Sequence, residues 1–320
     1  MKPAVEVHLT PDDLAEALRH DVTTGLTAVA KELPPKWFYD DRGSALFEAI
    51  TRLPSYYLTR AERALLEEHA PFVAGFTGAD TFIELGSGTS EKTRLLLEAF
   101  DERRQLRRFL PFDVSESTLR QAAIHLARRY PTVEVHAVVG DFERHLGCLP
   151  EDGRKLLAIL GSTLGNFEPK ARAHFLASLA AVMEPGDALL LGTDLVKDPA
   201  RLVAAYDDPE GVTAEFNRNV LGVVNRALHA DFDPARFDHV ALWDPQAEWI
   251  EMRLATERAQ EVRVADLDLV VAFAEAEELR TEISAKFRRE PLTDELAEAG
   301  LALGRWWSDG DFALSLSFRE

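Results

Sequence analysis

Thr81-Phe82-Ile83-Glu84-Leu85-Gly86-Ser87-Gly88 is the stretch that decides the fold. A short apolar, strand-like run leads straight into a glycine turn. A helical pattern follows over residues 91–98, with Thr89 and Ser90 placed to cap it. The same rhythm continues downstream, predicting strands at 109–112, 133–139, 156–160 and 188–192 and helices at 116–129 and 170–182. Strands alternating with helices need crossover connections, so this part reads as a mostly parallel sheet covered on both faces. In such sheets ligands bind beyond the carboxyl ends of the strands.

After Asp194 the rhythm changes. Residues 196–286 pass through Tyr206, Phe216, Asn217 and Asn219, then alternate at 249–254, 262–264, 267–273 and 281–287 with no helices between these strands. That pattern predicts an antiparallel meander. A helix at 293–299 and strands at 305–307 and 312–318 close the chain. The expectation is an α/β fold in two parts. Residues 61–195 and 287–320 form a seven-stranded, Rossmann-like sheet, while 196–286, with 1–60, form an inserted substrate-binding subdomain.

Composition narrows the function. The 320 residues, 46% of them hydrophobic, suffice for one large or two intertwined domains with a real core. A formal charge of −19 opposes nucleic acid and anionic lipid as partners and suits a cationic ligand better. The single cysteine, Cys148, excludes an internal disulfide and fits a reducing compartment. It is either a nucleophile or a packing or loop residue, and the flanking Gly147 and Pro150, with no activating motif, favour the latter. The charged N-terminus and the lack of a long apolar run predict a cytoplasmic protein without a membrane span.

Glycine at 86 and 88 permits positive φ and close approach of backbone to a ligand. A glycine pair alone, however, equally marks a tight turn. Glu91 stands where a dinucleotide fingerprint needs its third glycine, and a carboxylate there repels a pyrophosphate. A nucleoside bearing positive charge and no phosphate fits better, as in S-adenosylmethionine. Glu84 is placed to orient the loop or meet that charge. Asp113 ends the second strand, one β-α-β unit of roughly 30 residues later, where a carboxylate grips ribose hydroxyls. Asp141 and Phe142 end the third strand, an acceptor for an adenine amino group and a cover for its ring. Three carboxylates in consecutive units favour cofactor binding over turn caps. Lys92 is either a partner for a cofactor carboxylate or a solvated helix lysine.

The acceptor side is less legible. Asn166, in Gly161-Ser162-Thr163-Leu164-Gly165-Asn166-Phe167, either holds a nucleophile or forms a turn. Trp37, Phe38, Tyr39, Tyr56 and Tyr57 are either core or an aromatic lining for an amine that becomes cationic. Glu282 and Ser284 share a strand face, giving either a solvated surface or an acceptor and hydroxyl for a nitrogen heterocycle. No His-Glu-x-x-His pattern occurs and the nine histidines are scattered, so no metal is expected. Gly-x-Ser-x-Gly is also absent.

Several runs together carry a family resemblance: Leu33-Pro34-Pro35-Lys36-Trp37-Phe38-Tyr39-Asp40, Thr51-Arg52-Leu53-Pro54 with Tyr56-Tyr57, and Glu84 through Thr93. To these add Gly192-Thr193-Asp194-Leu195-Val196-Lys197-Asp198, Phe216-Asn217-Arg218-Asn219 and Glu282-Ile283-Ser284-Ala285-Lys286-Phe287. Over essentially the whole chain they resemble the histidine-specific, S-adenosylmethionine-dependent methyltransferases of ergothioneine biosynthesis. The resemblance implies a class I methyltransferase sheet. It also implies trimethylation of the α-amine of L-histidine to hercynine, with S-adenosylhomocysteine as by-product, by a chain expected to be monomeric.

By motif, Gly86, Lys92, Asp113, Asp141 and Phe142 would bind the cofactor, alongside Glu84 and Gly88 of the same loop. Tyr56, Asn166, Tyr206, Met252, Glu282 and Ser284 would bind histidine. In that scheme Glu282 and Ser284 clamp the imidazole and Met252 walls its pocket. Asn166 and Tyr206 hold the α-amine and carboxylate end, and Tyr39, counted with Asn166 as catalytic, neighbours the reacting amine. The proton acceptor is Tyr39 or solvent. Ile283 stands where a valine is expected. The rivals are a nicotinamide-dependent dehydrogenase, opposed by Glu91 and the antiparallel end, and a methyltransferase of proteins or other amines. A third is a non-catalytic binding module, opposed by the intact Asn166, Tyr206 and Glu282.

Overall fold

The computed structural model describes residues 3–88, 90 and 92–320. From the N-terminus, β1 (Ala4–Val7) leads into α1 (Pro11–Thr27), α2 (Asp41–Ile50) and α3 (Leu58–Thr77). Then come β2 (Thr81–Leu85), α4 (Thr93–Glu102), β3 (Arg108–Asp113), α5 (Glu116–Arg129) and β4 (Glu134–Val139). β5 (Lys155–Ile159), α6 (Pro169–Ala181) and β6 (Ala188–Asp194) complete the alternation. Two helices follow, α7 (Pro199–Tyr206) and α8 (Val212–Leu228). The strands β7 (Phe237–Asp244), β8 (Trp249–Thr256), β9 (Gln260–Val264), β10 (Leu269–Phe273) and β11 (Glu278–Ala285) come next. The chain ends with α9 (Arg289–Glu298), β12 (Leu301–Ser308) and β13 (Phe312–Arg319).

The contacts divide the chain into two compact units. The first holds the chain through Leu9, Leu58–Val196 and Lys286–Glu320; the second holds Thr10–Tyr57 and Lys197–Ala285. In the first, eight strands of the described residues form one sheet in the order β1-β4-β3-β2-β5-β6-β13-β12. β1 to β6 pair in parallel, and β13 runs antiparallel to both β6 and β12. Every residue of β2, β5 and β6 is buried, as a parallel sheet covered on both faces requires. Burial of each leucine in the Leu189-Leu190-Leu191 run contributes roughly 1.5–3 kcal/mol.

Two expectations need correction here. The sheet has an eighth strand, β1, which pairs with β4 from Ala4↔His136 to Val7↔Val139. The N-terminal residues therefore group with the sheet, whereas the sequence assigned all of 1–60 to the other part. Four residues at a sheet edge carry too little periodicity to announce themselves. Second, α4 begins at Thr93 with Lys92 at its cap and no side-chain capping bond. Ser90, expected to cap it, instead adopts φ 54° and donates its amide to Ser87.

In the second unit β11, β8 and β7 form an antiparallel sheet, and β9 and β10 a separate hairpin. Unread in the sequence were α7 and α8, which fill the first third of the segment. α8 buries Phe216, Asn217, Val220, Leu221, Val224 and Leu228. That spacing is helical, but two buried asparagines interrupt its apolar stripe and weaken the signal. Among the described residues no helix is long and apolar enough to cross a membrane.

Candidate functional site

The turn after β2 takes the shape only glycine holds without strain. Gly86 and Gly88 have φ of 73° and 48°. The amides of Gly86 and Ser87 donate to the Phe112 carbonyl at 2.8 and 3.1 Å. Gly88 donates to Asp113 Oδ2 at 2.9 Å, and Ser115 donates to Asp113 Oδ1 at the same distance. Asp113 thus ties the loop to the end of β3, a task the sequence did not foresee. Burial raises its pKa, and the amides of Ser115, Gly88 and Val114 oppose that rise. Phe142, just beyond β4, sits within 3.9 Å of where a Cβ on Gly86 would lie, its own ring packed 5.5 Å from that of Phe175. Asp141 accepts from the Glu143 amide at 2.9 Å and donates its own amide to His145 Nδ1 at 3.0 Å.

Glu84, at the end of β2, is buried and accepts the Thr93 hydroxyl, joining the strand to the first turn of α4. Burial lifts its pKa to about 8; the Thr93 bond and Lys92 oppose the lift, and Glu62 and Asp113 add to it. At neutral pH its carboxyl therefore carries a proton for most of the time. Lys92 pairs with Glu62 of α3. The lysine is therefore not a freely solvated helix residue, although its side chain stays 27% exposed. Sequence reading missed Glu62. The available signal was a carboxylate in the apolar stripe Leu58, Leu65, Leu66, Ala70, Val73, where burial without a partner is costly.

At the end of β5, Gly161 and Ser162 take φ of 76° and 62° and start the short helical turn Thr163–Asn166. Thr163 Oγ1 donates to the Leu160 carbonyl at 2.8 Å, and the Asp194 amide donates to Ser162 Oγ at 3.0 Å. Asn166 is half-buried on this pinned turn. Cys148 is not an activated nucleophile, because burial pushes its thiol up to about 11.

Two observations bear on a cofactor at this unit. The Ser87 and Ser90 hydroxyls are buried without a partner among the described residues. They flank a turn lined by Glu84 and Asp113. Orphaned hydroxyls beside carboxyl groups fit the polar groups of a bound nucleoside, and a positive charge on it would favour the ionised carboxylates. Thr89 and Glu91, read as a cap and as the bar to a diphosphate, lie outside the described residues.

The second unit gathers the remaining candidates. Tyr206 and Ser284 share a buried hydroxyl–hydroxyl bond of 2.8 Å. In the β8–β11 ladder Glu282 lies opposite Met252, with a bulge just before it. Behind them runs a neutral chain of hydrogen bonds. His239 Nε2 lies 2.8 Å from the Tyr206 carbonyl, and Nδ1 lies 2.8 Å from Asn217 Nδ2. Carbonyl and amide together require the Nε2–H tautomer, and burial pulls the His239 pKa down. Asn217 Oδ1 in turn accepts from Thr281 at 2.6 Å.

The aromatic residues form a continuous run in this unit. Tyr39 meets Phe47 and Phe216 edge-on, each at 5.6 Å; Phe47 reaches Tyr56 at 6.2 Å and Tyr56 reaches Tyr206 at 6.2 Å. Phe47 is a member the sequence reading passed over, since nothing local separates it from a core phenylalanine. The turn carrying Tyr39 is held by Asn219, whose amide donates to Asp40 at 2.8 Å and to the Phe38 carbonyl at 3.3 Å. A Cβ on Gly43 would strike that same carbonyl.

A parallel sheet with an antiparallel closing pair, and a glycine turn ringed by carboxyl groups at its strand ends, defines a class I S-adenosylmethionine-dependent methyltransferase. Over residues 18–319 the chain matches the histidine-specific, S-adenosylmethionine-dependent methyltransferases, and it belongs to that family. It is 58% identical over 314 residues to a histidine N-alpha-methyltransferase of Mycolicibacterium smegmatis, covering 98% of each chain. To a protein of the same description from Mycobacterium tuberculosis it is 57% identical over 319 residues, covering 99% of each. The N-methyltransferase fsqC of Aspergillus fumigatus is 28% identical over 317 residues, covering 96% of this chain and 85% of its own.

Proposed function

We propose that this chain methylates the α-amine of L-histidine three times, giving hercynine and three molecules of S-adenosylhomocysteine, as the first step of ergothioneine biosynthesis. The observation that carries the reading is the near-full-length likeness to two histidine N-alpha-methyltransferases. Bound S-adenosylmethionine would supply a sulfonium-activated methyl group. Each transfer forms an N–C bond as the C–S bond breaks, with the electron pair leaving on sulfur.

The chain's own residues position and neutralise. Gly86, Gly88, Asp113, Asp141 and Phe142 would hold the nucleoside, with Glu84 bracing the loop and Lys92 meeting the carboxylate. Glu282 and Ser284 would take the two imidazole nitrogens, with Met252 beside the ring. Tyr56, Tyr206 and Asn166 would hold the amino-acid end. The amine must shed a proton before each transfer, and the Tyr39 hydroxyl or water would take it. An aromatic lining tolerates the growing number of methyl groups because its attraction for a cation needs no N–H donor.

Titrating histidine calorimetrically in the presence of S-adenosylhomocysteine, followed by mass analysis after turnover with S-adenosylmethionine, tests the reading. Saturable binding and histidine gaining three methyl groups are expected. Turnover of another amine in preference to histidine would overturn the substrate assignment.

A further inference from the structure

Glu62 is fully buried, on a helix stripe otherwise occupied by Leu58, Leu65, Leu66, Ala70 and Val73. Its surroundings are built to receive it. Oε2 pairs with the Lys92 ammonium just ahead of α4, and Oε1 accepts the Gly161 amide at 2.6 Å. A Cβ on Gly192 of β6 would collide with Oε1, and one on Gly161 would come within 3.3 Å of Lys92 Nζ. One carboxylate therefore meets Lys92 at the start of α4, the turn after β5 and Gly192 of β6; Gly192 leaves room for the carboxylate and Gly161 for the ammonium it holds.

A buried carboxylate is costly unless it is paired and hydrogen-bonded, and Glu62 has both partners in Lys92 and the Gly161 amide. Lys92 lies beside the glycine turn, and Gly161 opens the loop that ends at Asn166. We infer that Glu62 is a positioning residue. It fixes the Lys92 ammonium for the carboxylate of the methyl donor, and it sets the start of the loop that presents Asn166. The inference rests on the proposed reading in one respect, that Lys92 meets the donor's carboxylate.

The test uses two nucleosides that differ in the amino-acid portion. S-adenosylhomocysteine carries a carboxylate, and 5′-methylthioadenosine does not. Both are titrated calorimetrically against the full chain and against Glu62→Gln, Lys92→Met and the double variant. The Gln amide oxygen still accepts from Gly161, while its NH2 faces the ammonium donor to donor and releases Lys92. Glu62→Gln and Lys92→Met are each expected to weaken S-adenosylhomocysteine roughly tenfold, the worth of one charge-assisted bond. Each should leave 5′-methylthioadenosine within about twofold, and the double variant should be no weaker than Lys92→Met alone, because both act through one ammonium.

Equal weakening of both nucleosides by Glu62→Gln overturns the inference, since that is what a purely structural residue would do. Additive losses in the double variant overturn it too. A Lys92→Met variant that binds both nucleosides normally overturns instead the assignment of Lys92 itself. Should Glu62→Gln fail to fold, Glu62→Asp keeps the charge and withdraws it by one methylene. A smaller loss confined to S-adenosylhomocysteine is then expected, and a loss shared by both nucleosides overturns the inference.

Discussion

The two units handle charge in opposite ways. Around the glycine turn, the sheet unit buries or half-buries Glu62, Glu84 and Asp113 near one ammonium, Lys92. Behind the Tyr206–Ser284 pair, the second unit buries a chain with no net charge: a tyrosine carbonyl, a neutral histidine, an asparagine and a threonine. The contrast matches the two ligands proposed. A methyl donor arrives with its positive charge already formed, and a cation beside Glu84 offsets the burial that otherwise keeps its carboxyl protonated. The amine must instead become neutral before each transfer and ends permanently cationic, so hydroxyls and aromatic faces serve it better than a fixed salt bridge.

The largest effect that would test this contrast is on Glu84. Its folded pKa of about 8 lies above the ordinary 4.5, so between those values the folded state holds a proton that the unfolded state has lost. Its contribution to stability is therefore full below pH 4.5 and falls as pH rises toward 8, by an amount on the order of a few kcal/mol. Glu84→Gln should remove that slope in denaturant unfolding measured across the range. An unchanged slope would mean that the carboxyl is ionised and the turn is less buried than described.

Asp113→Ala comes next. It leaves the Gly88 and Ser115 amides without their acceptor, at about 1–3 kcal/mol each where water cannot replace it. Affinity for S-adenosylhomocysteine should drop accordingly in calorimetry, with a smaller change for histidine. Comparable losses for both ligands would blur the division between the units.

Glu282→Ala should act in the reverse sense, weakening histidine by roughly 1.5–3 kcal/mol while S-adenosylhomocysteine binding stays near its original value. The smallest effect is on His239. Its lowered pKa means that its contribution to stability is present above the ordinary histidine range and is lost as pH falls below it. His239→Leu leaves the Tyr206 carbonyl unpaired and should cost about 1–2 kcal/mol at pH 8, with less difference from the parent at pH 5. Thermal melts at the two values measure it, and equal losses at both would argue against a neutral histidine.

Most of the cofactor half was readable because its parts are local. A strand, a glycine turn and the next strand end fall within one β-α-β unit, and Asp113 and Asp141 follow at the same place in successive units. The second half was harder. Tyr206 and Ser284 stand 78 residues apart and His239 lies between them, so only the family resemblance pointed to Tyr206, strand spacing left Ser284 as one of two readings, and nothing pointed to His239. α8 was missed because Asn217 and Asn219 sit where a helix stripe should be apolar, and both are buried because they bond to Thr281 and Asp40.

By itself, then, the sequence determined the alternating sheet, the glycine turn and the carboxyl groups at the strand ends, since hydrophobic period and turn chemistry act over a few residues. The tertiary structure decided which distant groups complete them. β1 becomes a strand only by pairing with β4, and Lys92 gains its partner only because α3 brings Glu62 to it across 30 residues of chain. Glu84 acquires a pKa near 8 only through burial. Solvent exclusion and the field of neighbouring charges belong to the packed molecule, and no window of sequence contains them.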